Sequence, residues 1–138
     1  MKATTLLLLR LSTGTYFVLW GLVKLLSQTK AVAVSEKYYS GLLSADIVNY
    51  VIGGVEVVAG VLVILGLLRS ISYLIQLLFY IAGLLPILPY ILDPFGAYLV
   101  ESAKLTFFPS TTLLFASLVL IAFKEFDTMS LDHKRTAN

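Results

Sequence analysis

Three ionisable residues stand inside apolar stretches of this sequence: Arg10, Lys24 and Glu56. A charge in such a place costs roughly 2.5–3.5 kcal/mol on membrane-insertion scales. Each therefore requires a partner, an escape to the interface, or a task such as binding a ligand, a proton or a substrate. Glu56 lies about nine residues into its apolar segment, or ~14 Å deep at 1.5 Å per residue. That is near the midplane of a hydrocarbon core about 30 Å thick. Arg10 lies near the start of the first segment, and its simplest reading is snorkelling to headgroups. Lys24 lies near the far end of the same segment, but a helical side chain leans toward its own N-terminus, here toward the membrane centre. On antiparallel helices the Lys24 and Glu56 backbones differ in depth by about 11 Å. Two extended side chains nearly close that gap. A Lys24–Glu56 pair is the preferred arrangement and Arg10–Glu56 the second. A purely structural ion pair and a ligand or proton site both remain open.

Glycine spacing points the same way. Gly53, Glu56 and Gly60 share one helical face, as do Gly14, Gly21 and Lys24, with Arg10 four residues before Gly14. Small residues on a face let helix backbones approach closely. Gln76 and Tyr80, four apart, are candidates to line the same interior. Asp93, Glu101 and Lys104 read as solvated loop residues. Trp20 and the scattered tyrosines read as belt or packing residues. No nucleophile–base pair, metal-spaced cluster or phosphate-cradling loop is present in the sequence.

The elements that must position these residues are membrane spans. Of the 138 residues, 59% are hydrophobic and 13% charged, against about 45–50% and 25% in soluble domains. Mean hydropathy is +0.93. The expected fold is an all-α membrane protein, four transmembrane helices in an antiparallel bundle. They fall at about residues 5–26, 47–68, 71–92 and 105–123 of a single transmembrane domain at 1–138. Met1-Lys2 and the leucines at 6–9 resemble a signal peptide, but Arg10 interrupts the run and no small-residue cleavage site follows. An uncleaved first helix is expected.

The segment from Ser27 to Asp46 reads as a polar connection with room for a short interfacial helix. Asp46 or Ser44 is the expected N-cap of the second span. Arg69-Ser70 alone separates the second and third spans, which requires a tight hairpin. Pro86 and Pro89 should kink or shorten the third, and Asp93-Pro94-Phe95-Gly96 reads as a turn. Pro109 falls in the first turn of the fourth, and residues 124–138 read as a polar, mobile tail.

Composition also excludes. Net charge is +2 without a basic block, so nothing points to nucleic acid. Cysteine is absent and the single histidine, His133, sits in the polar tail. Thiol redox chemistry, iron–sulfur ligation and intramembrane haem ligation by this chain alone are not expected. The purified chain is expected to show no haem or flavin absorbance and no bound metal. Lys2, Arg10, Arg69, Lys124, Lys134 and Arg135 fall on one side, and Lys24, Lys30, Lys37 and Lys104 on the other. That asymmetry favours cytoplasmic termini.

The run Leu9-Arg10-Leu11, then Gly14, then Gly21-Leu22-Val23-Lys24 resembles the first helix of the DoxX family. Gly54-Val55-Glu56, Gly60 and Leu65-Gly66-Leu67-Leu68-Arg69 resemble its second helix and following turn. The resemblance covers about residues 5–75. It implies a four-helix protein of a prokaryotic plasma membrane. It also implies association with quinone-linked redox systems, including a subunit of a thiosulfate:quinone oxidoreductase, or with oxidative-stress complexes. A histidine carried by some relatives in the third helix is missing here. Three functions follow in order of preference. The first is a non-catalytic membrane subunit or anchor of a redox partner, with a quinone near the charged face. The second is a small carrier using Arg10, Lys24 and Glu56 for an anionic or proton-coupled substrate. The third is a structural membrane protein whose charges only fix helix packing. The lipid bilayer is the expected contact in all three, and a homo-oligomer fits the second and third.

Overall fold

The computed structural model describes residues 1–41 and 45–136. Four helical stretches are long and apolar enough to cross a membrane: Lys2–Leu26, Asp46–Leu65, Arg69–Leu92 and Leu105–Ala122. In a bilayer every backbone N–H and C=O must be satisfied within the protein, which is why apolar sequence of this length is helical. Helix α1 (Lys2–Leu26) ends at Ser27, and a short α2 (Gln28–Tyr38) follows at once. Helix α3 (Asp46–Leu65) is the second span. Ala45 precedes it without a side-chain cap, so Asp46 stands at the first helical position, where its charge still favours the helix dipole. Ser44 lies outside the described residues.

The second span ends sooner than hydropathy suggests. Gly66 takes a left-handed conformation (φ +67°). Its N–H donates to the Val63 carbonyl (3.1 Å), and the Leu67 N–H donates to Leu62 (2.9 Å). This pair of bonds closes α3 as a Schellman motif. The hairpin is thus Gly66–Leu68, and Arg69 is already the first residue of α4 (Arg69–Leu84). Pro86 then ends regular α-helix. A 3₁₀ turn (Leu85–Ile87) and a short α5 (Leu88–Leu92) complete the third span. Helix α6 (Pro109–Ala122) carries proline at its first position, preceded by a 3₁₀ turn at Leu105–Phe107.

Helices α1 and α3 pack along their whole length, and the glycines are the reason. Gly14 faces Gly60 and Gly21 faces Gly53. A methyl group at Gly21 would come within 2.6 Å of the Gly53 carbonyl oxygen, and one at Gly60 within 2.9 Å of the Gly14 carbonyl oxygen. Gly54 is different, with nothing within 4 Å of an added methyl. Gly21→Ala should therefore force the helices apart and lower stability by about 1–3 kcal/mol, as overpacking does. Gly54→Ala should be neutral or stabilising by up to about 1 kcal/mol, because alanine favours the helix. Thermal unfolding of both variants in detergent checks this, and equal effects would contradict the close crossing.

Helix α4 packs between α3 and α6 and closes the bundle. Toward the end that holds the start of α1, Leu6, Val63, Tyr73 and Leu120 are buried together. The tail corrects expectation. Residues 124–126 form a 3₁₀ turn, α7 runs Leu131–Thr136, and Asp127 and Ser130 are buried. The segment folds back onto the ends of α1, α3 and α4 instead of running into solvent.

Asp93 is a second correction. It is 5% exposed, not solvated. Its carboxylate accepts from the N–H groups of Ala97 (2.8 Å), Tyr98 (2.7 Å), Leu99 (2.7 Å) and Val100 (3.4 Å). The bond from Leu99, then those from Tyr98 and Ala97, lower its pKa from 3.8 to about 2. A lowered carboxyl pKa contributes order above the ordinary value, and that order is lost as pH falls through the folded value. The Ala97, Tyr98 and Leu99 amide resonances should therefore titrate with a midpoint near 2. A midpoint at 3.8 would show that the bonds do not form.

Candidate functional site

The first charged site joins α1 to α3. Lys24 Nζ lies 2.6 Å from both carboxylate oxygens of Glu56. Their side chains are 15% and 7% exposed, so the pair is nearly, but not fully, enclosed. The glycine crossing creates this proximity. Lys24 Cβ sits 3.0 Å from where a Gly53 methyl would be, and Glu56 is one turn beyond Gly53. The backbone offset is therefore roughly 5 Å, less than rise from the apparent helix ends implied.

A run of aromatic rings begins beside the pair. Lys24 Nζ stands 5.7 Å from the Trp20 ring centre, and Tyr16 meets Trp20 edge-on at 6.3 Å. Tyr16 also meets Tyr80 at 6.2 Å. Tyr39, just beyond α2, donates its hydroxyl to the Gly83 carbonyl (3.3 Å) and so ties the interfacial segment to α4. Burial raises the Tyr39 pKa, the nearby Glu56 carboxylate raises it further, and Tyr16 adds to both. Tyr16 and Tyr39 are thus neighbours of the charged pair that sequence reasoning treated as belt residues. For Tyr16 a signal existed: it precedes Trp20 by four and Lys24 by eight, on one helical face. For Tyr39 there was none, because the path of the polar connection decides its place.

Gln76 and Tyr80 do line the interior. Gln76 is fully buried, and its amide donates to the Tyr80 hydroxyl (3.4 Å) and accepts from Ser117 on α6 (3.5 Å). Tyr80 donates to the Thr13 carbonyl (2.9 Å). These bonds stitch α4 to α1 and α6 between the two charged ends.

Arg10 is not at the headgroups. It is 2% exposed, with Nη1 3.2 Å from Asp127 Oδ2 and Nη2 donating to the Met129 carbonyl (3.4 Å). The same Asp127 oxygen accepts from the Tyr73 hydroxyl (2.8 Å) and lies 3.9 Å from Arg69 Nη1. Arg69 donates to the carbonyls of Lys124 (2.8 Å) and Asp127 (3.2 Å). Its backbone N–H donates to Asp132 Oδ2 (2.8 Å), which caps α4 from the tail. Gly66 touches the Arg10 guanidinium, so any side chain there would collide with it. Arg10 and Glu56 therefore belong to separate sites. Arg10 does close one end of the bundle, but against protein. Asp127 was missed. Its signal was arithmetic: a buried arginine needs an anion, and the acids expected on that side were Glu125, Asp127 and Asp132.

Among the described residues no group of three or more His, Cys, Asp or Glu stands together as a metal site. In comparisons with known proteins, residues 5–86 match the model of the DoxX family, more than half of the chain. No curated protein and no solved structure matches. The matched part contains Arg10, Lys24, Glu56, Gln76 and Tyr80; Asp93 and Asp127 lie beyond it.

Proposed function

The chain belongs to the DoxX family, and from that premise we propose that it is a non-catalytic membrane subunit or anchor of a quinone-linked redox or oxidative-stress complex. One observation carries the reading: an incompletely enclosed Lys24–Glu56 pair with Trp20 beside Lys24 and the rings of Tyr16 and Tyr80 continuing from Trp20. An ammonium donates to a carbonyl oxygen, a carboxylate accepts from a hydroxyl, and aromatic rings receive a planar ring. A quinone headgroup has those three features. The sequence carries no cysteine, and its single histidine is in the tail. The redox centre is therefore assigned to a partner subunit, and this chain to holding the quinone beside it. Purification in mild detergent followed by mass spectrometry tests the reading. A redox enzyme at fixed stoichiometry is expected, and a clean homo-oligomer would count against it.

A carrier for an anionic or proton-coupled substrate is the second reading. It is favoured by the buried polar groups Thr13, Gln76 and Ser117 and the half-buried Tyr80 between the two charged ends. The reading sets the protein in a prokaryotic plasma membrane, as the family resemblance implies, with both termini cytoplasmic, as the Lys/Arg asymmetry favours. Single cysteines at the exposed positions Lys30 and Thr136 test this with an impermeant thiol reagent in intact cells. Labelling is expected at position 30 alone, and labelling at 136 alone would reverse the orientation.

A further inference from the structure

The loop between the third and fourth spans shows large apolar side chains at its surface. Among the described residues Phe95 is 74% exposed, Tyr98 93% and Leu99 61%. In water such a cluster is unfavourable, and a mobile loop would fold it away. This loop is held open. The Asp93 carboxylate takes the N–H groups of residues 97–100, the Gly96 N–H donates to the Asp93 carbonyl (3.1 Å), and the Lys104 N–H donates to the Pro94 carbonyl (3.1 Å). Gly96 (φ +68°) lies so close to the far strand of the loop that a methyl group would come within 2.8 Å of Ser102 and 2.9 Å of Ala103. The loop thus satisfies the N–H groups of residues 96–100 and 104 from within itself.

Its place follows from the spans that flank it. The third, 24 residues at Arg69–Leu92, has a rise of about 36 Å, enough to cross a hydrocarbon core of about 30 Å and emerge in the headgroups. Exposed apolar side chains flank the loop in the chain on both sides. Leu85 (60%) and Leu92 (67%) precede it, and Leu105 (55%) and Phe108 (52%) follow. An aromatic cluster sits beside it, with Tyr38 of α2 edge-on to Tyr90 (6.0 Å) and Phe107 (5.1 Å). Aromatic rings of this kind gather at the headgroup level of spanning proteins.

We propose that residues 93–104 are a preformed membrane anchor, which the Asp93 carboxylate pins open so that Phe95, Tyr98 and Leu99 seat in the headgroup–acyl boundary of phospholipid. The internal bonding favours this seat. Non-helical backbone reaches membrane depth only when its polar groups are satisfied by protein or a water-filled cavity. Asp93 supplies the acceptors that water supplies to an ordinary loop. The anchor fixes the ends of α5 and α6 beside α2, whose Tyr38 meets Tyr90 and Phe107.

The chain has no cysteine, so a single label reports without background. Leu99→Cys carrying an environment-sensitive fluorophore is reconstituted in phosphatidylcholine vesicles. It is quenched either by nitroxide-bearing phospholipid or by aqueous iodide, with Thr136→Cys as the exposed reference. At position 99 nitroxide lipid should quench several-fold more than iodide, with the reverse at 136. Adding Asp93→Ala should shift position 99 toward iodide, and Asp93→Asn, which keeps one acceptor oxygen, should shift it less. Dominant iodide quenching at 99 would overturn the seat in lipid. Resistance to both quenchers would also overturn it, because a protein partner or second copy would then cover the loop. Unchanged quenching in Asp93→Ala would overturn the pin. Phe95→Cys gives an independent reading should a label at 99 disturb the loop.

Discussion

Asp127→Ala is expected to cost about 3–5 kcal/mol, the range for breaking a buried ion pair from one side. One carboxylate oxygen serves Arg10, Tyr73 and, at longer range, Arg69. With it gone, the Arg10 guanidinium keeps its bond to the Met129 carbonyl in a place 2% exposed. An arginine cannot escape by losing its proton, so the charge stays and the structure must yield. Water would enter, or the tail would leave. Thermal unfolding in detergent and protease sensitivity of residues 124–136 read the two effects together. A chain ended at residue 123 should be at least as destabilised as Asp127→Ala, because it also loses the Asp132 cap on α4. Arg10→Met combined with Asp127→Ala should recover part of the loss, since the two effects are coupled. Loss of less than about 1 kcal/mol, the range of exposed pairs, would show that the tail is not seated on Arg10.

The second large effect is expected at the other charged site. Glu56→Gln and Lys24→Met should each lower stability, because each strands one charge inside the membrane. The cost should be smaller than at Asp127. Lys24 keeps 15% of its side-chain surface, and an ammonium or carboxyl group can neutralise by a proton shift where arginine cannot. The double variant should regain part of the stability. Strictly additive losses would contradict the coupling between the two side chains. The same double variant separates the readings of function. If the pair only fixes helix packing, activity in cells returns along with stability. If it holds a quinone headgroup or carries a substrate, stability returns and activity does not. Tyr39→Phe adds a finer test. It removes the hydroxyl and its bond to Gly83 but keeps the ring. A loss of activity without loss of stability would place Tyr39 in contact with the ligand.

Four spans and their order were readable from the residues alone, because lipid leaves apolar sequence of that length no choice but helix. The glycine seam was readable too. Gly14 with Gly21 and Gly53 with Gly60 repeat every seven residues, two helical turns, which keeps both members on one face. Lys24 and Glu56 were readable as neighbours because consecutive spans run antiparallel and their charges need each other. Even the shared side of the two termini was implied by an even number of spans. The choice of Asp127 was not. It lies 117 residues from Arg10, in sequence polar enough to be stable in water. Nothing local distinguishes it from Glu125 or Asp132, and only closure of the bundle by α6 selects the carboxylate that reaches Arg10. Asp93 was hidden for a related reason. Its four partners are backbone amides, which every residue carries, so composition cannot mark them. Gly66 ended α3 through a backbone conformation that hydropathy does not register. Hydropathy and spacing determined which segments meet the membrane and which faces meet each other. The path of the chain outside the spans decided which buried charges are satisfied and by whom, because those bonds depend on where distant turns return.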